Sequence, residues 1–160
     1  MSLILSEKAG AIGVVRINRP ELNLLSQPML EELSNAFKEL KNQSDLRAVI
    51  LTGTGEVAFC AGIDPPERSS LKHLDAGVGA SRVHSVCEEI ENFPVPVIAA
   101  INGLAAHAGF ELALACPLRF ASTNAQFSSH DELALGPDAG VNHRLAQEIG
   151  QCPELGASGT

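Results

Sequence analysis

Three groups of residues in this chain have types and spacing suited to chemistry. Two are short glycine-containing loops, Phe59-Cys60-Ala61-Gly62-Ile63-Asp64 and Asn102-Gly103-Leu104-Ala105-Ala106-His107-Ala108-Gly109-Phe110-Glu111. Each follows an apolar run that reads as a buried strand. Neither has the G-x-G-x-x-G or G-x-x-x-x-G-K-[ST] form that cradles a nucleotide phosphate. Small residues at a strand end let backbone N–H groups approach a ligand closely. The second loop also runs into a helix start, whose free N–H groups and dipole favour developing negative charge. Two such loops, converging, would hold one oxyanion. Glycines after strands serve equally as plain turns.

The third group is acidic. Glu111 sits in the apolar run Phe110-Glu111-Leu112-Ala113-Leu114-Ala115, and Asp131-Glu132 lies further on, before Leu133-Ala134-Leu135-Gly136. A carboxylate among apolar side chains is costly unless it is paired, hydrogen-bonded or functional. A short helix with one wet face would also accommodate Glu111.

Strands and helices must bring these groups together. Leu3–Ser6 and Ala11–Ile17 read as strands around a turn at Lys8-Ala9-Gly10. Ser26 is a candidate N-cap for a helix with Pro28 in its first turn, and Met29, Leu33, Phe37 and Leu40 form its apolar stripe. Leu46–Thr52 predicts a strand buried on both faces, and 53–66 a turn-rich connection. A polar loop is expected over 67–78. A second helix is expected over 80–93, with Val83, Val86, Cys87 and Ile90 inward. Val97–Ile101 is another buried strand. A loop over 102–109, a short helix over 110–116, a strand over 118–121 and a helix over 141–149 follow. Alternating strands and helices with short connections predict an α/β fold with a mainly parallel sheet.

Composition narrows the partners. The 160 residues are 45% apolar and 19% charged, with a net charge of −8, no Trp and no Tyr. Without a basic footprint or stacking rings, nucleic acid is not an expected partner. Apolar runs fall short of the roughly 20 residues that span a bilayer, and the N-terminus has no basic stretch followed by an apolar core, so no membrane is expected. Cys60, Cys87, Cys116 and Cys152 have no C-x-x-C spacing. They read as small core residues of a cytoplasmic protein, and no metal site is expected.

The order of motifs resembles the enoyl-CoA hydratase/isomerase (crotonase) family. The matching pieces run from Ile17-Asn18-Arg19-Pro20-Glu21-Leu22-Asn23 through the Met29 helix to Arg47-Ala48-Val49-Ile50-Leu51-Thr52-Gly53. Ala58-Phe59-Cys60-Ala61-Gly62-Ile63-Asp64, Pro96-Val97-Ile98-Ala99-Ala100-Ile101-Asn102-Gly103 and Glu111-Leu112-Ala113-Leu114-Ala115-Cys116 follow, with Arg144-Leu145 and Gly150 as a looser match. Residues 11 to about 150 are covered, and six pieces in order make the resemblance specific.

The resemblance implies a crotonase-like α/β spiral of β-β-α units and acyl-CoA thioester chemistry, with coenzyme A as part of the substrate and no separate cofactor. It assigns the oxyanion N–H groups to Ile63 and Ala108, and places Ala61, Gly62, Asp64 and Gly109 against the substrate. Glu111 is expected to act as base on a water. The second acid falls on Glu132 when anchored on Leu135-Gly136, or on Asp131 when counted from Phe127. Two carboxylates polarising one water suit addition across a conjugated double bond.

This chain departs from the family where a run of glycines is replaced by His107-Ala108-Gly109, and Ile63 stands at a usually small position. Asp131 replaces a proline, and the connection after Gly136 is two residues shorter than usual. His107 and His130 flank the expected site, whereas His73 and His84 read as solvated. Double-bond isomerisation, C–C hydrolysis of the retro-Claisen kind, and a non-catalytic binding or assembly subunit are the alternatives to hydration. Arg16, Arg19 or a neighbouring subunit would supply positive potential for an anionic ligand. The family resemblance also implies a homo-oligomer, trimer or hexamer. Residues 1–160 are expected to form a single domain that stops before the family's C-terminal helices, leaving apolar surface to be covered.

Overall fold

In the computed structural model, residues 2–65, 76–128, 144, 145, 147 and 148 are described. The chain begins with a hairpin: β1 (Ile4–Ala9) and β2 (Ile12–Ile17) pair antiparallel, Ile4 opposite Ile17 and Ala9 opposite Ile12. Then come α1 (Gln27–Lys41), β3 (Ala48–Gly53), β4 (Ala58–Cys60), α2 (Ala76–Glu91), β5 (Val97–Ile101), β6 (Leu104–Ala106), α3 (Ala108–Ala115), β7 (Leu118–Ala121) and β8 (Gln126–Ser128). The order is two strands and a helix, repeated, as the spiral of β-β-α units requires.

Both strands of the first repeat lie in a five-stranded sheet of order β1-β2-β3-β5-β7; in each later repeat the first strand joins that sheet and the second joins a three-stranded sheet of order β4-β6-β8. Every pairing after the hairpin is parallel. Parallel neighbours need a crossover between them, and the helices supply it. Val15, Ile17, Val49, Leu51, Val97, Ala99 and Ile101 point into the core from β2, β3 and β5. Residues Met29, Leu33, Phe37 and Leu40 of α1 and Val83, Val86, Cys87 and Ile90 of α2 cover them, and Phe37 meets Phe93 edge-on at 5.4 Å. Each such side chain stabilises the fold by about 1.5–3 kcal/mol.

Several expectations are corrected. Strand β3 is not buried on both faces: Val49 and Leu51 are, while Ala48, Ile50 and Thr52 are half-buried. Ser26 has the extended backbone of an N-cap, but its hydroxyl makes no capping hydrogen bond. Helix α2 starts at Ala76 rather than 80, inside the expected loop, and the remainder of that loop lies outside the described residues. The connections over 53–66 and 102–109 each hold a three-residue strand, β4 and β6, too short to show a period of two. Of the expected helix over 141–149, Arg144, Leu145, Gln147 and Glu148 are described and helical.

Two asparagines pin the turns before the small sheet. Asn23 is fully buried; its Nδ2 donates to the carbonyls of Thr54 (3.0 Å) and Ala58 (2.8 Å), and its Oδ1 accepts from the Arg19 N–H (3.0 Å). Asn102 donates to the Gly55 carbonyl (2.7 Å) and accepts from the Gly53 N–H (3.1 Å). Strand β7 lies at the sheet edge with Leu118 and Phe120 exposed, and Phe127 on β8 is exposed as well.

Candidate active site

The two glycine-containing loops leave adjacent parallel strands at the same level. On β4 and β6, Cys60 pairs with Ala105. Ile63 and Ala108 each lie three residues beyond that pair. The loops touch one step earlier: a β-carbon placed on Gly62 would sit 3.3 Å from Cβ and 3.4 Å from Cδ2 of His107. Gly62 has φ +116°, a conformation that other residues rarely adopt.

Hydrogen bonding leaves both predicted donors available. Leu25 brackets Ile63 from one side: its N–H donates to the Gly62 carbonyl and its carbonyl accepts from the Asp64 N–H, each at 2.8 Å. In a parallel bridge this turns the N–H of the middle residue away from the partner strand. Ala108 opens α3, where first-turn N–H groups have no partner within the helix. Among the described residues, neither the Ile63 nor the Ala108 N–H donates a backbone hydrogen bond. Both groups sit beside the His107–Gly62 contact, and the dipole of α3 reinforces the second.

Glu111 is on the first turn of α3, with its own N–H bonded to the His107 carbonyl (2.9 Å). Its side chain is only 10% exposed, and its Oε1 accepts from Nη1 of Arg144 at 2.7 Å. Arg144 is 6% exposed and also donates from Nε to Glu91 Oε1 at 2.6 Å. Burial works against the guanidinium charge. The Glu91 hydrogen bond and the neighbouring Cys87, Glu91 and Glu111 nevertheless raise the Arg144 pKa above its ordinary value. Arg144 is the functional neighbour that sequence reasoning missed; the only signal was its place in the looser Arg144-Leu145 match.

The remaining predicted residues divide. Ala61 donates its N–H to the Leu22 carbonyl (3.0 Å) and continues the loop. Asp64 forms an ion pair with Arg19 (2.5 Å), so the charge expected of Arg19 is already matched there. Arg16 likewise pairs with Glu7 (2.9 Å), out on the hairpin. Gly109 has a packing reason: a β-carbon there would lie 2.0 Å from the Cys60 carbonyl oxygen. His107 has φ 50° and ψ −121°, a left-handed backbone otherwise suited to glycine, and its Nδ1 is buried without a partner among the described residues. Asp131, Glu132, His73 and His130 lie outside the described residues. His84, read as solvated, is exposed, with Nδ1 3.5 Å from Nη2 of Arg144.

Cys60, Cys87 and Cys116 are buried and free, as core residues should be; Cys152 lies outside the described residues. Burial pushes the Cys60 and Cys116 thiols up to about 12. It pushes Cys87 well above its usual value too, helped by Glu111 and opposed by Arg144. Two hollows of about 410 and 420 Å³ lie between α1 and α2, with Lys38, Ser85 and Glu89 common to both. They are open and lined largely by charged side chains, and no loop residue lines them. The chemistry-bearing groups are at the loops.

A β-β-α spiral with two sheets, two adjacent glycine-containing loops and a buried glutamate in the first turn of the following helix defines a crotonase-fold protein. The model of the enoyl-CoA hydratase/isomerase family matches residues 7–153. A short-chain-enoyl-CoA hydratase of Clostridium acetobutylicum is 39% identical over 150 residues, covering 92% of this chain and 57% of that protein. A mitochondrial methylglutaconyl-CoA hydratase of Mus musculus is 40% identical over 148 residues, covering 91% and 47%. The crystal structure of an enoyl-CoA hydratase from Bacillus anthracis superposes with a TM-score of 0.87 at 38% identity, covering 95% of this chain and 60% of that one. The chain belongs to the enoyl-CoA hydratase/isomerase family. It spans about half the length of the curated relatives it matches.

Proposed function

We propose that this chain carries acyl-CoA hydratase chemistry: addition of water across the 2,3 double bond of an enoyl-CoA thioester. The observation that carries this reading is the shared register of Ile63 and Ala108 beyond the Cys60–Ala105 pair, with Glu111 on the next turn of helix. The two N–H groups hold the thioester oxygen as enolate charge develops; one such donor typically contributes about 3 kcal/mol to the transition state. Glu111 takes a proton from the attacking water. Glu132 delivers one to the carbon α to the thioester, or Asp131 does so if the alternative alignment holds. Coenzyme A enters as part of the substrate. Residues 1–160 act as one domain, in a homo-oligomer.

The test mixes a four-carbon enoyl-CoA with the protein and follows loss of the conjugated double bond by absorbance. Glu111→Gln is expected to slow hydration by 10²–10⁴-fold, the usual range for a general acid–base group. Hydration that survives Glu111→Gln unchanged overturns the assignment.

A second reading is a binding or assembly subunit without turnover. The glycine-type backbone occupied by His107, with its ring against Gly62, favours it. Acyl-CoA binding without turnover would select this second reading. A product of unchanged mass would select isomerisation, and two smaller products whose masses sum to that of the substrate plus one water would select C–C hydrolysis.

A further inference from the structure

Arg144 stands between two carboxylates contributed by different helices. Nη1 holds Glu111 Oε1 on α3 at 2.7 Å, and Nε holds Glu91 Oε1 on α2 at 2.6 Å. The guanidinium is 6% exposed and Glu111 10%, whereas Glu91 is 39% exposed. A planar fork with fixed donor directions transmits the position of one carboxylate to the other, which an ammonium cannot do. Among the described residues, other groups facing this cluster include Nδ1 of His84, 3.5 Å from Nη2, and the buried Cys87 thiol. Behind Cys87 lies the Cys116 thiol, and His84 Nε2 is 3.5 Å from Glu88 Oε1. Among the described residues Arg144 is the cation that bridges Glu111 and Glu91, and removing it leaves a buried carboxylate without that charge partner.

We propose that Arg144 is the positioning residue for Glu111, holding one carboxylate oxygen and so fixing the direction of the carboxylate on the first turn of α3. Glu91 sets the orientation of Arg144 in turn, so that α2 governs the aim of a carboxylate on α3. The mechanistic part of this inference rests on the hydratase reading above; the geometric part does not.

The experiment compares wild type, Arg144→Met, Arg144→Lys and Glu91→Gln in the full chain. Each is measured by hydration of a four-carbon enoyl-CoA across pH, and by a carbon-detected NMR titration of the Glu111 carboxyl, assigned with Glu111→Gln. Arg144→Met is expected to lower kcat about 100-fold, the scale of a misplaced catalytic group, with KM within about threefold of wild type. Glu91→Gln gives a smaller loss in the same direction. Arg144→Lys recovers part of kcat. The Glu111 carboxyl titrates at higher pH in Arg144→Met than in wild type, because its cation is gone.

Full kcat in Arg144→Met, with an unmoved Glu111 titration, overturns the inference and leaves the hydratase reading standing. A wild-type chain that turns over no enoyl-CoA overturns the hydratase reading. The Glu111 titration then still decides the positioning role, a shifted midpoint supporting it and an unmoved one overturning it. If Arg144→Met fails to fold, Arg144→Lys and Glu91→Gln decide by the same two readouts.

Discussion

Gly62 and His107 lie side by side across two adjacent parallel strands, the one at φ +116° and the other at φ 50°. The left-handed residue on each loop immediately precedes an N–H group that donates no backbone hydrogen bond among the described residues, that of Ile63 on one side and Ala108 on the other. Such a turn points the following amide away from its own strand. The two loops solve the same geometric problem with different residues: a glycine in one, and in the other a histidine held in a conformation that costs about 1–3 kcal/mol.

That cost is measurable. His107→Gly and His107→Ala both remove the imidazole and its buried, unpartnered Nδ1, but only glycine fits the backbone without strain. His107→Gly is expected to be more stable than His107→Ala by about 1 kcal/mol or more. Urea denaturation of the two variants, compared at equal m-value, checks this. Equal midpoints would mean that the backbone at 107 is not strained.

Gly109 makes the opposite demand. Its φ is not unusual, yet a β-carbon would fall 2.0 Å from the Cys60 carbonyl oxygen and 2.7 Å from Cys60 Cβ. Gly109→Ala must therefore push the start of α3 off β4. It is expected to cost at least about 1–3 kcal/mol, the scale of overpacking against atoms that cannot yield. It is also expected to separate the Ala108 N–H from that of Ile63. A parallel loss of stability and of acyl-CoA binding would be seen by denaturation and by calorimetry.

The buried thiols make stability depend on alkaline pH. Cys60 and Cys116 are held up to about 12 in the folded chain, against an ordinary value of 9.0 when exposed. A thiol whose folded value is raised stabilises the fold fully below pH 9, and that contribution is lost between about 9 and 12. In this window the unfolded chain ionises and the folded one does not. Each such thiol removes up to about 1.4 kcal/mol of stability per pH unit above 9. Urea midpoints at pH 8, 9 and 10 should fall progressively. In Cys60→Ala/Cys116→Ala they should fall less steeply.

Long periodic elements were readable from the residues. The stripe Met29, Leu33, Phe37, Leu40 and the set Val83, Val86, Cys87, Ile90 are buried as their spacing requires, and 97–101 and 118–121 are strands with the expected bounds. The small sheet was not readable, because β4, β6 and β8 are three residues each and carry no alternation. Ile63, Ala108 and Glu111 were legible only as matches to a family pattern. The loops that carry Ile63 and Ala108 are set side by side by the register between β4 and β6, which local sequence does not express. The Arg144–Glu111 pair spans 33 positions. Nothing about an isolated arginine near the end of the chain identifies its partner.

The three-stranded sheet has a further consequence. Neighbouring strands run roughly 4.8 Å apart. Two N–H groups that each approach one oxygen at about 2.9 Å along its two lone pairs are themselves separated by roughly 5 Å. Ile63 and Ala108 sit the same number of residues past the Cys60–Ala105 pair, so under the proposed function the spacing of adjacent strands would set the scale of the gap between the two donors. If the proposed function holds, side chains on either loop, such as Ile63 and His107, would be free to change the shape and polarity of an acyl slot while the backbone gauge for the oxygen stayed constant.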